Sequence, residues 1–251
     1  MMMKRYLLGL FFTIASLSAN AQDHIFSQFY NAPIYLNPAL TGQFDGDLRI
    51  SGIYRNQWSA LGGDFSYMNA SVDLNIPRFN SGLGISFNRS SEGTAYLSKT
   101  NIAASYAYII GGDDYTLSFG LQTGITNRKI DWNKLVFGDQ IGAIDGYIPG
   151  SASGVEPPDG NNKFFFDAAA GINAVYKNLM VGFGMHHINK PDESISGQHA
   201  ILPIRSSISA SYMINVIPDQ FRREGAYLIP SIVYYKQKNV YSMSIGSQFK
   251  Y

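Results

Sequence analysis

The chain has 251 residues, with 19 basic and 18 acidic side chains, a net charge of +1 and no cysteine. Charged residues make up 15% against roughly 25% in an ordinary soluble domain, and aromatics reach 14% with 17 Tyr and 16 Phe. This composition excludes a disordered chain, a field strong enough to gather nucleic acid, a disulfide framework, a zinc–thiolate site and a thiol nucleophile.

Lys4 and Arg5 precede an apolar stretch from Tyr6 to Ala15 and the small-residue end Ala19-Asn20-Ala21. That is the layout of a secretory signal peptide over residues 1–21, and the stretch is too short for a helical span, which needs roughly 20 residues. The following segment, 22–47, is apolar and aromatic from Gln28 to Gly42 but interrupted by Pro33 and Pro38. It reads as an extended, ordered N-terminal segment on the periplasmic side, packed inside a barrel or against a periplasmic partner.

From residue 48 onward the dominant signal is alternation. Leu48, Ile50 and Tyr54 oppose Arg49, Ser51 and Arg55; Met68, Ala70, Val72 and Leu74 oppose Tyr67, Asn69, Ser71 and Asp73. The same contrast recurs near 83–88, 101–108, 117–126, 164–173, 179–186, 205–212 and 241–250, and less cleanly over 226–234, where both parities are apolar. About ten strands result, several near the nine to eleven residues that cross a hydrocarbon core at a tilt. The expected fold is therefore all-β, an antiparallel transmembrane β-barrel of the outer membrane occupying residues 48–251, apolar side outward and polar side inward.

Gly82, Gly84, Gly120, Gly124, Gly171, Gly182, Gly184 and Gly246 all fall on the polar parity, with Gly52 the exception, as expected of small residues on an inner wall. Tyr54, Phe87, Tyr108, Tyr115, Tyr212, Tyr234 and Tyr241 stand near strand ends, where aromatic girdles belong. Connections alternate long and short until the Pro218 to Glu224 segment, with the longest near Asn127 to Lys163. That segment, rich in Gly, Ser and Pro, reads as a surface loop or a plug.

Catalytic chemistry is not indicated. His186 and His187 are adjacent, so on a strand they point to opposite faces and cannot share a metal. Asp113-Asp114 follows two glycines as a hairpin turn does, and Asp145 stands alone in the long loop. Arg49, Arg55, Asp73, Asp167 and Arg205 on the polar parity are expected to form structural ion pairs, because isolated charge inside a lumen is costly. No cofactor is expected.

Gln22-Asp23, Phe26-Ser27-Gln28-Phe29-Tyr30, Tyr35-Leu36-Asn37-Pro38-Ala39, Gly42 and Tyr54-Arg55-Asn56-Gln57-Trp58 stand in an order and spacing that resembles the PorP/SprF family of outer-membrane proteins of the Bacteroidetes type IX secretion system. The resemblance implies a non-enzymatic component that assists secretion or surface attachment of particular cargo, such as gliding-motility adhesins bearing a C-terminal sorting domain. Implied partners are that cargo, the secretion machinery with its periplasmic ring components, and membrane lipid; nucleic acid is not among them. Family members are longer, with further strands that close the barrel. Asn37, Pro38, Tyr54, Arg55, Asn56, Gln57 and Trp58 are the motif residues, expected to organise the barrel's entrance or to contact a partner. An outer-membrane diffusion channel or hydrophobic-solute transporter is the alternative function.

Overall fold

A computed structural model describes residues 23–58, 65–93, 97–142, 144, 146–148, 150–155, 160–195, 199–217 and 225–250. The expected signal peptide, Gln22, Asp145, Pro157 to Asp159 and Pro218 to Glu224 lie outside the described residues.

The strands are β1 (Leu48–Gln57), β2 (Phe65–Ile76), β3 (Ser81–Glu92), β4 (Leu97–Gly111), β5 (Tyr115–Lys129), the short pair β6 (Ile141–Gly142) and β7 (Gly146–Tyr147), β8 (Asn162–Tyr176), β9 (Leu179–His186), β10 (Arg205–Tyr212), β11 (Ile214–Ile217), β12 (Ala226–Gln237) and β13 (Val240–Lys250). β11 carries on where β10 stops at Tyr212, and both pair with β12, so they act as one long strand. The main sheet thus has ten strands in sequence order, every neighbour antiparallel, with β6 and β7 forming a separate hairpin inside the longest connection. Among the described residues β1 pairs only with β2 and β13 only with β12, leaving a curled sheet with two edges.

Each hairpin repeats the alternation of its strands. Asn69, Asn88, Asn101 and Thr126 stand opposite one another across β2, β3, β4 and β5. Their side chains form a hydrogen-bonded belt: Asn69 Nδ2 donates to Asn88 Oδ1 at 2.6 Å, Asn88 Nδ2 to Asn101 Oδ1 at 3.4 Å, and Asn101 Nδ2 to Thr126 Oγ1 at 2.8 Å.

The sidedness is the reverse of a water-soluble sheet. Ile50 is 74% exposed, Leu121 64% and Ile125 61%, while Asp73, Ser118 and Asn173 on the opposite face are fully buried. Burying polar atoms while leaving aliphatic ones uncovered is favourable only where the outer solvent is itself apolar. Tyr54, Tyr108, Tyr115, Tyr212 and Tyr241 lie on that outer face.

The two longest connections, after β5 and β9, leave one end of the sheet together with those after β1 and β3 and the turn 238–239, whereas 77–80, 112–114, 177–178 and the connection after β11 leave the other. These are called the long-loop end and the short-turn end below.

Candidate functional site

Residues 23–43 fill the concave face. The segment is not extended: it coils through three successive turns of helix, Phe29–Asn31, Pro33–Leu36 and Pro38–Leu40. Pro33 and Pro38 each open a turn at its first position, where a missing N–H costs nothing and the fixed φ already suits a helix. The prolines that made the stretch unfit for a strand here start helical turns.

The segment threads the interior from one end of the sheet to the other. Asp23 lies at the long-loop end, bonded to His187 just beyond β9 and to Gln237 at the close of β12. Gly42 lies at the short-turn end, where its N–H donates to Asp73 Oδ2 at 2.8 Å. Its closest approach is to Gly82, at the start of β3.

Glycine on the inner wall makes this threading possible. A Cβ on Gly82 would sit 2.2 Å from the carbonyl oxygen of Thr41, on Gly120 2.2 Å from the amide nitrogen of Ala39, and on Gly171 1.9 Å from Asn37 Oδ1. The inner glycines thus form a groove shaped to the backbone of residues 37–42, a use more specific than the general relief of crowding expected on a barrel wall.

Asn37 is the central fastening. It is 1% exposed, its Nδ2 donates to the Ile172 carbonyl at 3.0 Å and its Oδ1 accepts from the Ala39 amide at 2.9 Å. Ser118 Oγ donates to the Ala39 carbonyl at 2.8 Å, and Ser207 Oγ to the Leu36 carbonyl at 3.0 Å. Phe29, Leu36 and Leu40 pack on Val233 and Tyr235 of β12. That contact explains why the inner parity of β12 is apolar where the other strands carry serine, asparagine or glycine.

The inner charges are paired. Arg49 and Asp73 form an ion pair at 2.7 Å. Arg205 donates to the Tyr35 hydroxyl at 2.6 Å and to the Tyr35 carbonyl at 3.2 Å, and its guanidinium lies 4.4 Å from the Tyr35 ring centre. Arg55 donates to the Ile25 carbonyl. Their partners are largely in the N-terminal segment, which spacing along the strands does not disclose.

His186 and His187 do not point to opposite faces. His187 takes a left-handed φ of 59°, which breaks the alternation, and both rings are buried inside with centroids 6.3 Å apart. His187 Nε2 lies 2.6 Å from Asp23 Oδ2 and Nδ1 2.9 Å from Asp167 Oδ1. With both ring nitrogens held by carboxylates, this imidazole has no lone pair to offer a metal. Burial acts most strongly on His187 and opposes its charge, yet Asp23 and Asp167 together raise its pKa above the ordinary value. Burial likewise opposes the charge on Asp23, but Lys99, His187 and Arg205 together hold its carboxyl well below the usual range. Burial lowers His24 to about 3, so it is a neutral ring, stacked on both Tyr35 and Tyr67.

A network of charges runs on from Asp23 into the connection after β9. Lys99 Nζ lies 3.6 Å from Asp23 and 3.5 Å from Glu193, and Arg128 lies 3.2 Å from Glu193.

The motif residues fall in two places. Asn37 and Pro38 are buried halfway along the interior. Tyr54, Arg55, Asn56 and Gln57 finish β1 at the long-loop end and Trp58 follows it, with Tyr54 and Trp58 exposed and Trp58 edge-on to Phe65 at 5.2 Å. Arg55 alone of this group bonds the N-terminal segment directly, through Ile25. Asp23, His187, Tyr35 and the inner glycines complete the site. Glycine parity pointed to the last of these, whereas nothing in the spacing of Asp23 and His187 announced their contact.

No curated protein and no solved structure matches the chain. A sequence profile described as type IX secretion system membrane protein PorP/SprF matches residues 18–251. The match covers nearly the whole length and agrees with the inside-out sheet, and the chain accordingly belongs to the PorP/SprF family of type IX secretion system membrane proteins.

Proposed function

We propose that this protein is an outer-membrane component of the type IX secretion system that assists secretion or surface attachment of particular cargo proteins, such as adhesins with a C-terminal sorting domain. In this reading the signal peptide directs export, the long-loop end faces outward, and the short-turn end faces the periplasm and the ring components of the machinery. The function is recognition, with the long connections receiving an extended cargo segment.

The observation that carries this reading is the filled interior. Residues 35–42 are fastened to the wall by buried side chains at Asn37, Ser118, Ser207, Asp73 and Arg205. A diffusion channel needs a lumen clear of this segment, whereas a cargo-receiving partner needs a rigid crown, which a plugged barrel supplies.

The test is to add a purified sorting domain to the protein in planar bilayers and, separately, in a pull-down. Saturable capture without steady conductance is expected. Steady conductance with no capture would replace this reading with the channel.

A further inference from the structure

The two faces of the sheet treat charge differently. On the inward face acids and bases are mixed and paired: Arg49 with Asp73, Arg128 with Glu193, Lys163 with Asp192 and Asp167 with His187. On the outward face the charged strand residues among those described are Arg89 of β3, Lys129 of β5 and Lys236 of β12. All are basic and exposed, and none has an ion-pair or hydrogen-bond partner among the described residues. All lie near the long-loop end of their strands, with Lys129 the last residue of β5 and Lys236 next to the last of β12.

Hydrocarbon accounts for the position of these residues but not for their sign. Outward on β5, Tyr115, Leu117, Phe119, Leu121 and Ile125 are interrupted only by Thr123, a span matching the roughly nine to eleven residues that cross an apolar core. Asn127 and Lys129 follow beyond it. Tyr54 shares the row of Arg89 and Asn127 through Met68 and Thr100, as an aromatic at the headgroup boundary does. An acid is expelled from hydrocarbon as a base is, so desolvation alone would leave both signs at both rims. The outward positions at the short-turn rim, Ile76, Tyr115, Tyr176 and Tyr212, are instead uncharged.

We infer that the outward rim at the long-loop end binds the phosphate groups of membrane lipid, with Arg89 and Lys129 making one site and Lys236 a separate contact elsewhere on the rim. Arg89 pairs with Thr100 and Lys129 with Ser98, so the two cations flank β4. Two strand spacings and an offset of two residues put their Cα atoms about 12 Å apart, a gap that two long side chains close around one phosphate. Arginine supplies paired N–H donors to phosphate oxygens, and lysine a point charge. Close by, the Asn127 side-chain nitrogen is buried without an acceptor in the protein. A lipid is the occupant because the row beneath, Phe87, Ile102 and Ile125, is the surface its acyl chains would cover. This rests on the wall standing in a bilayer, as the function proposed above does, and holds whatever the cargo is.

The absence of cysteine allows a single thiol carrying a small fluorophore to be placed at will. Ser98, opposite both Lys129 and Ser91, gives S98C, and Ala174, exposed on the same face near the short-turn end of β8, gives A174C. Full-length protein in phosphatidylcholine vesicles receives equal small fractions of either phosphatidic acid or phosphatidylcholine bearing an acyl-chain nitroxide quencher. One cation near an anionic headgroup is worth roughly fivefold in association, so phosphatidic acid is expected to be enriched at least about threefold over phosphatidylcholine at S98C. The two lipids are expected to quench A174C alike. R89Q/K129Q is expected to bring the S98C ratio to about 1, with heat-modifiable migration reporting that the variant is folded. Should it fail to insert, high salt on the S98C protein is expected to lower the ratio in its place. Equal quenching by the two lipids at S98C overturns the site while leaving the wall in the bilayer. A preference as large at A174C, or one that survives R89Q/K129Q or high salt, also overturns it. Loss of quenching at both positions overturns the membrane setting itself, and the proposed function with it.

Discussion

Substituting alanine at Gly120 tests whether the inner glycines exist to seat the N-terminal segment. A Cβ there would lie 2.2 Å from the Ala39 nitrogen and 2.3 Å from the Pro38 carbonyl carbon. Non-bonded heavy atoms settle near about 3.5 Å, so the segment must retreat by roughly 1 Å or more. That retreat acts directly on the bonds from Ser118 to Ala39 at 2.8 Å and from Ala39 to Asn37 at 2.9 Å. Two buried hydrogen bonds at about 1 kcal/mol each, with an overpacking cost of about 1–3 kcal/mol, give a destabilisation of about 3–5 kcal/mol for G120A. Gly52 provides the control, because a Cβ there would meet nothing within 4 Å on the outer face. G52A is expected to be neutral or to stabilise by about 0.5 kcal/mol through the unfolded chain. Reversible urea unfolding in lipid vesicles, followed by tryptophan fluorescence, measures both. G120A within about 1 kcal/mol of wild type, or a loss in G52A as large as that in G120A, would refute the groove as the reason for the glycine pattern.

Replacing Asn37 by alanine leaves the Ala39 amide without its side-chain acceptor and removes the donor to Ile172, and is expected to cost about 2–4 kcal/mol in the same unfolding assay. Ile125→Arg is expected to cost about 2–4 kcal/mol if that outward position meets hydrocarbon, whereas at a water-exposed site the same change stays within about 0.5 kcal/mol. The Asp23–His187 pair has a pH window. Asp23 is depressed below its ordinary 3.8, so its contribution is complete above that value and disappears as pH falls through the folded pKa. His187 is raised above 6.5, so its contribution is complete below 6.5 and disappears as pH climbs through the folded pKa. Asp167, His24, His186, Glu92, Lys99 and Arg205 are the charged or titratable groups that surround the pair. Stability in the same unfolding assay is expected to be greatest between those two values and to fall on the alkaline side; a flat profile there would count against His187 as the partner.

Much of the wall was legible because the two faces of a strand meet different solvents and the sequence records both. The ten strands, their alternation and the outward aromatics follow from period two alone, since a one-residue slip would put Asp73 or Asn173 into the apolar surroundings and Ile50 or Ile125 inside. The inner glycines were legible as a pattern, but their purpose was not, because the 1.9–2.2 Å approaches at Gly82, Gly120 and Gly171 involve residues dozens of positions away. The blurred parity of β12 has the same origin: Val233 and Tyr235 face Phe29, Leu36 and Leu40, so an apolar inner residue is correct there. Local rules misread two places. Pro33 and Pro38 argued against a strand and left helical turns unforeseen, and the alternation rule failed at His187 because a single left-handed φ reversed it.

The N-terminal segment also bears on how the sheet can close. β1 runs from the short-turn end to the long-loop end and β13 runs back, so the two edges are antiparallel and can be joined directly or through an even number of strands, never an odd one. In hydrocarbon an edge left unpaired is costly, so this parity constrains any complete barrel. The segment touches both edges from inside. Arg55 of β1 bonds Ile25, Gly246 of β13 lies against Phe29 and Tyr30, and Lys250 reaches Asp45 at 3.4 Å. A rod of helical turns that contacts both edges sets how far apart they stand, and the polar face of the sheet is therefore built to fit that rod more than to hold water. The same stretch that carries Asn37 and Pro38 thus runs inside the wall from Asp23 at the long-loop end to Gly42 at the short-turn end and braces both of its edges.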